Sequence, residues 1–149
     1  MSILARSVFA CTFFCTLSLF SAILPHQGRI LVSGEAFDGN ATFRFALVDP
    51  SNDTIVWNHS GGTGVPDTDL VVEVKNGFYK CPLGDTSFTG MAELSPQLFS
   101  YYSNLKLRVW FNDGVNGLQQ LGGDQPLLNV LNRMEKLSEN DRKNLLLNF

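Results

Sequence analysis

Apolar and polar side chains alternate most cleanly over residues 41–48. Phe43, Phe45 and Leu47 fall on one face there, and Thr42, Arg44 and Ala46 on the other. Successive side chains of a strand point to opposite sides of the sheet, so this period of two predicts a half-buried strand. Residues 105–111 repeat the pattern, with Leu105, Leu107, Val109 and Phe111 facing one way and Lys106, Arg108 and Trp110 the other. Residues 27–33 predict a first strand stopped by Gly34, and residues 54–57 a short strand that forms a hairpin with the one before it. Residues 70–74 and 78–83 flank Asn76-Gly77, the strongest hairpin signal in the chain, and residues 118–121 close the series.

The segments between these runs carry turn chemistry. Asp38-Gly39-Asn40, residues 49–53 and residues 112–117 are rich in Asp, Asn and Gly, which accept tight backbone bends. Residues 59–68 form a glycine-rich loop, residues 84–95 are irregular, and residues 96–101 predict one or two helical turns. About seven or eight short strands without intervening helical periods predict an all-β fold, an antiparallel β-sandwich of immunoglobulin-like or similar type.

Both ends break the pattern. In residues 1–24, Arg6 is the only charged side chain, and an apolar run leads to the small pair Ser21-Ala22. A charged start, a short apolar core and small residues predict a signal peptide over 1–24, with a retained membrane anchor as the alternative. Phe20 departs from the small residue usual at such a cleavage site. At the other end Leu127, Val130, Leu131, Met134 and Leu137 recur at helical spacing, and Ser138 precedes Asp141 as in a capping box. Residues 126–149 therefore predict a helical tail after a β-domain over 25–125. Its apolar stripe suits packing on the domain, or self-association through Leu127, Leu131 and Met134.

Composition narrows the function. The chain has 149 residues, enough for one domain with a real core, and a net charge of −3 without a basic stripe, which excludes nucleic acid as a partner class. Of three cysteines, Cys11 and Cys15 lie in the expected signal, so Cys81 stands alone without an internal disulfide partner and reads as a buried, inert thiol. Beyond the signal, histidine is limited to His26, read as a mobile terminal residue, and His59, at the mouth of the glycine loop. No Gly-x-Ser-x-Gly elbow accompanies His59, and Gly61-Gly62-Thr63-Gly64 lacks the Lys-Ser/Thr ending of a phosphate loop. No catalytic residue, cofactor or metal site is expected.

Two binding chemistries remain. Asn112, Asp113, Asn116 and Gly117, and separately Asp49, Asn52 and Asp53, offer hard oxygens for calcium, although tight turns require the same residues and EF-hand spacing is absent. Trp57, Trp110, Tyr101 and Tyr102 offer rings that stack on sugars, and Trp110 alternates onto the outer face beside Arg108. The candidate ligand-binding residues are thus Trp57, Trp110, Asp113 and Asn116. The reading is a structural or protein-interaction module, secreted or displayed at the cell surface. A carbohydrate-binding module using exposed aromatics is the alternative, and membrane contact is expected only if the N-terminal segment is retained.

Ordered blocks carry a resemblance over roughly residues 26–126. They are Gln27-Gly28-Arg29, Phe37-Asp38-Gly39 with Phe43-Arg44-Phe45-Ala46-Leu47-Val48, Trp57, Asn76-Gly77-Phe78-Tyr79, and Leu83-Gly84-Asp85-Thr86. Leu107-Arg108-Val109-Trp110-Phe111-Asn112-Asp113-Gly114, Gln119-Gln120-Leu121 and Asp124-Gln125 complete the set. In this order they resemble a module that recurs in secreted proteins of planctomycetes, verrucomicrobia and cyanobacteria, often ahead of tail-fibre-like surface regions. The resemblance implies export, a β-sandwich and a structural or adhesive setting, and it implies no reaction. In such a setting the sequons at Asn40, Asn52 and Asn58 are chance matches. The chain departs from the family after Gln125, where Pro126-Leu127-Leu128 replaces an extended segment ending in Pro-Tyr-Ala.

Overall fold

The structure, a computed structural model, describes residues 21–127. The signal segment before Ser21 and the tail residues Leu131 and Met134 lie outside the described residues. Ten strands and one short helix follow in order. They are β1 (Leu24–Arg29), β2 (Leu31–Val32), β3 (Glu35–Ala36), β4 (Gly39–Asp49), β5 (Thr54–Asn58), β6 (Leu70–Val74) and β7 (Phe78–Leu83). The helix α1 (Gln97–Tyr101), β8 (Lys106–Asn112), β9 (Gln119–Gln120) and β10 (Gln125–Pro126) complete the series. The fold is mostly β, in three antiparallel sheets.

The longest strand, β4, is the centre of the largest sheet. One edge pairs with β8, from Thr42 opposite Asn112 to Val48 opposite Lys106. The other edge is shared, with β6 along residues 39–43 and β5 along residues 46–49. The expected alternation holds: Phe43, Phe45 and Leu47 are fully buried on one face with Leu107, Val109 and Phe111 of β8. The two-stranded sheet β1–β7 contributes Leu24, Tyr79, Cys81 and Leu83 to the same core. The Tyr79 ring lies 4.5 Å from that of Phe43, centroid to centroid. Burying side chains of this size stabilises by about 1.5–3 kcal/mol each.

Asn76-Gly77 makes the expected turn, with φ of 50° and 81°. Lys75 and Phe78 exchange both backbone hydrogen bonds across it. The expected hairpin stops there. β6 leaves to pair with β4 and β7 leaves to pair with β1, so the turn carries the chain from one sheet to another. Both strands alternate buried and exposed positions, so each has a core face to bury, and the two sheets supply the two faces.

The described residues ahead of Pro25 pack with the strands: Leu24 is buried opposite Leu83, the Ala22 N–H donates to the Leu94 carbonyl at 2.8 Å, and the Ser21 hydroxyl donates to the Gly84 carbonyl. Gly34 does not end a strand but closes a second hairpin, Ser33-Gly34, between β2 and β3. At the far end β10 pairs with β8, and Leu127 is buried in the core with its N–H donated to the Leu105 carbonyl. Leu127 therefore belongs to the domain and is not available for self-association.

Candidate functional site

The four candidate ligand residues do not form one site. Trp57 lies in the core, 6% exposed, and its indole N–H donates to the Glu93 carbonyl at 2.8 Å. A β-bulge put it there. Leu47 stands opposite Trp57 but Val48 opposite Ile55, so the extra residue Val56 turns Trp57 inward while Ile55 packs on the outer face. A buried ring with its donor satisfied presents no sugar platform, and Trp57 leaves the candidate set.

Trp110 sits where the alternation of β8 predicts, half-buried on the outer face over Ala46, Val48 and Ile55. Arg44 and Gln120 stand opposite it on the neighbouring strands. The flanking arginines are already engaged. Arg44 donates to the Asp69 carboxylate and the Pro66 carbonyl. Arg108 is forked onto Asp124 and bonded to Asp53. Those carboxylates raise the Arg108 pKa, with the hydrogen bond to Asp124 the largest cause.

Asp113 and Asn116 lie away from Trp110, in the β8–β9 turn. One Asp113 oxygen accepts the N–H groups of Val115 and Asn116, and the other accepts the Asn116 amide at 2.6 Å. These bonds hold the Asp113 carboxyl below the usual carboxylate range, the backbone N–H of Asn116 first. The oxygens weighed for calcium are turn-forming here, as they are at Asp49 and Asn52, which accept the N–H of Ser51 and Thr54. No group of three or more His, Cys, Asp or Glu among the described residues is arranged to hold a metal ion.

Asp113 and Asn116 nevertheless border a cleft of about 540 Å³, within the range of ligand pockets. Residues 30–33 form its other wall, Phe111 and Leu121 give it an apolar lining, and Arg29 and Gln119 add polar groups. Trp110 does not line it, because it points through the opposite face of β8. Sequence reasoning missed Arg29 and Gln119. The signal available was the Ser33-Gly34 turn, which folds residues 30–33 back instead of extending β1.

Among the described residues, the two histidines and the cysteine sit in the fold's interior packing. His26 is not a mobile terminal residue: it stands in β1 opposite Cys81, with Nε2 2.9 Å from the Tyr79 hydroxyl. His59 is fully buried, and its Nδ1 accepts the Phe45 N–H at 3.2 Å. That bond leaves the ring proton on Nε2, which meets no hydrogen-bond partner of good geometry among the described residues. Burial pushes the Cys81 thiol up to about 12, so it stays protonated and unreactive. The glycine loop is set by buried Asn58, whose side-chain oxygen accepts from Ser60 and Gly62 and whose amide donates to the Gly64 carbonyl. The N–H groups of Ser60, Gly61 and Gly62 serve Asn58.

A family model described as a domain of unknown function (DUF8740) matches residues 25–124. The chain belongs to this family. No curated protein and no solved structure matches it. The matched DUF8740 segment runs from the second residue of β1 to Asp124, the carboxylate that clamps Arg108. It includes both walls of the cleft and Trp110. β10 and Leu127, which close the core, lie just beyond it.

The DUF8740 domain is expected to lose stability in weak acid. Burial lowers the His26 pKa to about 4, and desolvation also lowers that of His59. An unfolded histidine binds its proton near pH 6.5, so between about 6.5 and about 4 the unfolded chain holds more protons than the folded one. The neutral-histidine contribution is complete above that window and is lost as pH falls through it, by about 3 kcal/mol for His26. Urea midpoints at pH 7.5, 5.5 and 4.5 check this. His26→Gln is expected to flatten the profile, and an unchanged slope in that variant would refute the assignment.

Proposed function

We propose that this chain is an exported, non-catalytic DUF8740 module that works by binding protein, built as a small sandwich in which the β1–β7 sheet covers the β4-centred sheet. One observation carries the reading: among the described residues both histidines and the cysteine are committed to the core, and the Asp113 carboxylate to its own turn. His26, His59, Cys81 and Asp113 are each held by the bonds or burial described above. The apolar N-terminal segment and the family resemblance support export to the cell surface or beyond. With Leu127 in the core, self-association attaches to Leu131 and Met134 of the tail.

The carbohydrate alternative rests on Trp110, beside Arg44 and Gln120. A glycan array run with the wild-type chain and Trp110→Ala separates the two readings, since signal lost with the ring would favour sugar.

Light scattering of the chain from Ser21 to Phe149, beside one ending at Leu127, tests assembly. The shorter chain keeps the described core and is expected to remain folded by circular dichroism. An oligomer that becomes a folded monomer on truncation supports assembly through Leu131 and Met134. Two folded monomers would refute assembly through the tail and leave the domain surface as the binding element.

A further inference from the structure

We infer that Asn116 is a site of spontaneous deamidation, and that the fold shields Asn76 from the same reaction. The chain holds two Asn-Gly pairs, Asn76-Gly77 and Asn116-Gly117. Asparagine is chemically labile, and a following glycine favours its conversion because no Cβ crowds the ring that must close. The modification needs only water and stands apart from the binding reading above.

The chemistry is an attack within the chain. The Gly117 backbone nitrogen gives its proton to hydroxide and bonds to the side-chain carbonyl carbon of Asn116. The bond from that carbon to Nδ2 breaks, and Nδ2 takes a proton from water and leaves as ammonia. The product is a succinimide ring. Water then opens the ring at either carbonyl. One opening gives aspartate, and the other gives isoaspartate, with the chain rerouted through the side chain. The balance is one amide and one water consumed, and one carboxylic acid and one ammonia formed. The step demands a glycine nitrogen free to lose its proton and room for the ring to form.

Asn116-Gly117 meets both demands. Among the described residues the Gly117 N–H donates to no acceptor. The β8–β9 ladder reaches Gln119 and stops, so it does not hold Gly117. Both residues are exposed, and a Cβ at Gly117 would find nothing within 4 Å. The Asn116 amide does donate to Asp113 at 2.6 Å. That bond restrains the side chain and slows the reaction, but it lies in an exposed turn that opens easily.

Asn76-Gly77 meets neither. The Gly77 N–H donates to the Phe37 carbonyl at 2.8 Å, and the Gly77 carbonyl accepts the Ile30 N–H at 2.7 Å. The Asn76 N–H donates to the Asp38 carboxylate at 2.6 Å. Gly77 is buried, and a Cβ there would lie 2.9 Å from the Ile30 carbonyl oxygen. Reaction at Asn76 therefore waits for the turn between the two sheets to open.

Conversion changes the β8–β9 turn. Aspartate at position 116 sets a second carboxylate against Asp113 where a hydrogen bond stood, and isoaspartate also lengthens the backbone of the turn.

The test holds the full chain at pH 8 and 37 °C in water enriched in oxygen-18, folded and, in parallel, unfolded in guanidinium chloride. Brief trypsin digestion places the two pairs in separate fragments, residues 76–80 and 109–133, and mass spectrometry assigns the converted residue. The folded chain is expected to convert at Asn116 at least about tenfold faster than at Asn76, and the unfolded chain at both. The product should be a mixture of aspartate and isoaspartate that carries solvent oxygen. Asn116→Gln, whose longer side chain closes a larger and slower ring, should remove the acidic form seen by ion exchange. Equal rates at the two sites in the folded chain would overturn the inference. So would an Asn116 that converts only when the chain is unfolded. Aspartate without isoaspartate would also overturn it, since that outcome means direct hydrolysis without attack by Gly117.

Discussion

Phe43→Ala is expected to cost about 3–5 kcal/mol, a large share of the 5–15 kcal/mol by which domains of this size are stable. Phe43 is fully buried, and its ring meets Phe45, Tyr79 and Phe111 at centroid distances of 5.8, 4.5 and 5.3 Å. It therefore touches the central strand, its β8 neighbour and the β1–β7 sheet at once. Tyr79 is itself held by His26, so it cannot collapse freely into the space left by the ring. Phe43→Leu keeps most of the volume and is expected to cost about half as much. Urea midpoints of both variants decide the matter, and a loss below 1 kcal/mol for the alanine would show that the two sheets do not depend on this contact.

Gly84→Ala is expected to destabilise by about 2–5 kcal/mol, from two separate penalties. Gly84 has φ of +86°, where a side chain is strained. A Cβ there would also meet the Ala22 carbonyl, and the Leu94 Cβ at 2.5 Å, so the N-terminal segment at Ala22 must shift. Gly34 supplies the control. Its φ is +88° with nothing within 4 Å, so Gly34→Ala should show the conformational penalty alone, about 1–2 kcal/mol. Thermal unfolding of the two variants measures the difference. Equal losses would mean that residues 21–24 do not pack as described.

Strand existence was legible in the sequence because burial on one face writes itself as alternation, and β4 and β8 lie where that pattern put them. Facing was legible only where the ladder is regular. Along β8 the alternation placed Trp110 outward, as observed. Along β5 the bulge at Val56 reverses the facing between Ile55 and Trp57, and no side-chain pattern announces a bulge. Asn76-Gly77 fixed a turn but not the partners of its flanking strands, because pairing is settled by which buried faces meet. Ser33 has φ of 53°, unusual for a non-glycine residue, so the β2–β3 hairpin and the cleft wall it makes were hidden in what read as a single strand. His26 was obscured by its closeness to an expected cleavage point, and only its pairing with Cys81 reveals its role.

The sharing of β4 among three partners sets an order on assembly as the chain is made. The β4–β5 hairpin is local and closes first, and β6 follows on the same edge once residue 74 has emerged. The second edge stays open much longer, because Thr42 must wait for Asn112. Until then the strand that carries Phe43, Phe45 and Leu47 is a half-covered template, exposed to any other chain that presents a complementary edge. A newly synthesised chain therefore passes through a sticky stage that ends only when β8 arrives, and stalled or shortened products that stop before residue 112 should be recovered in aggregates rather than as folded fragments.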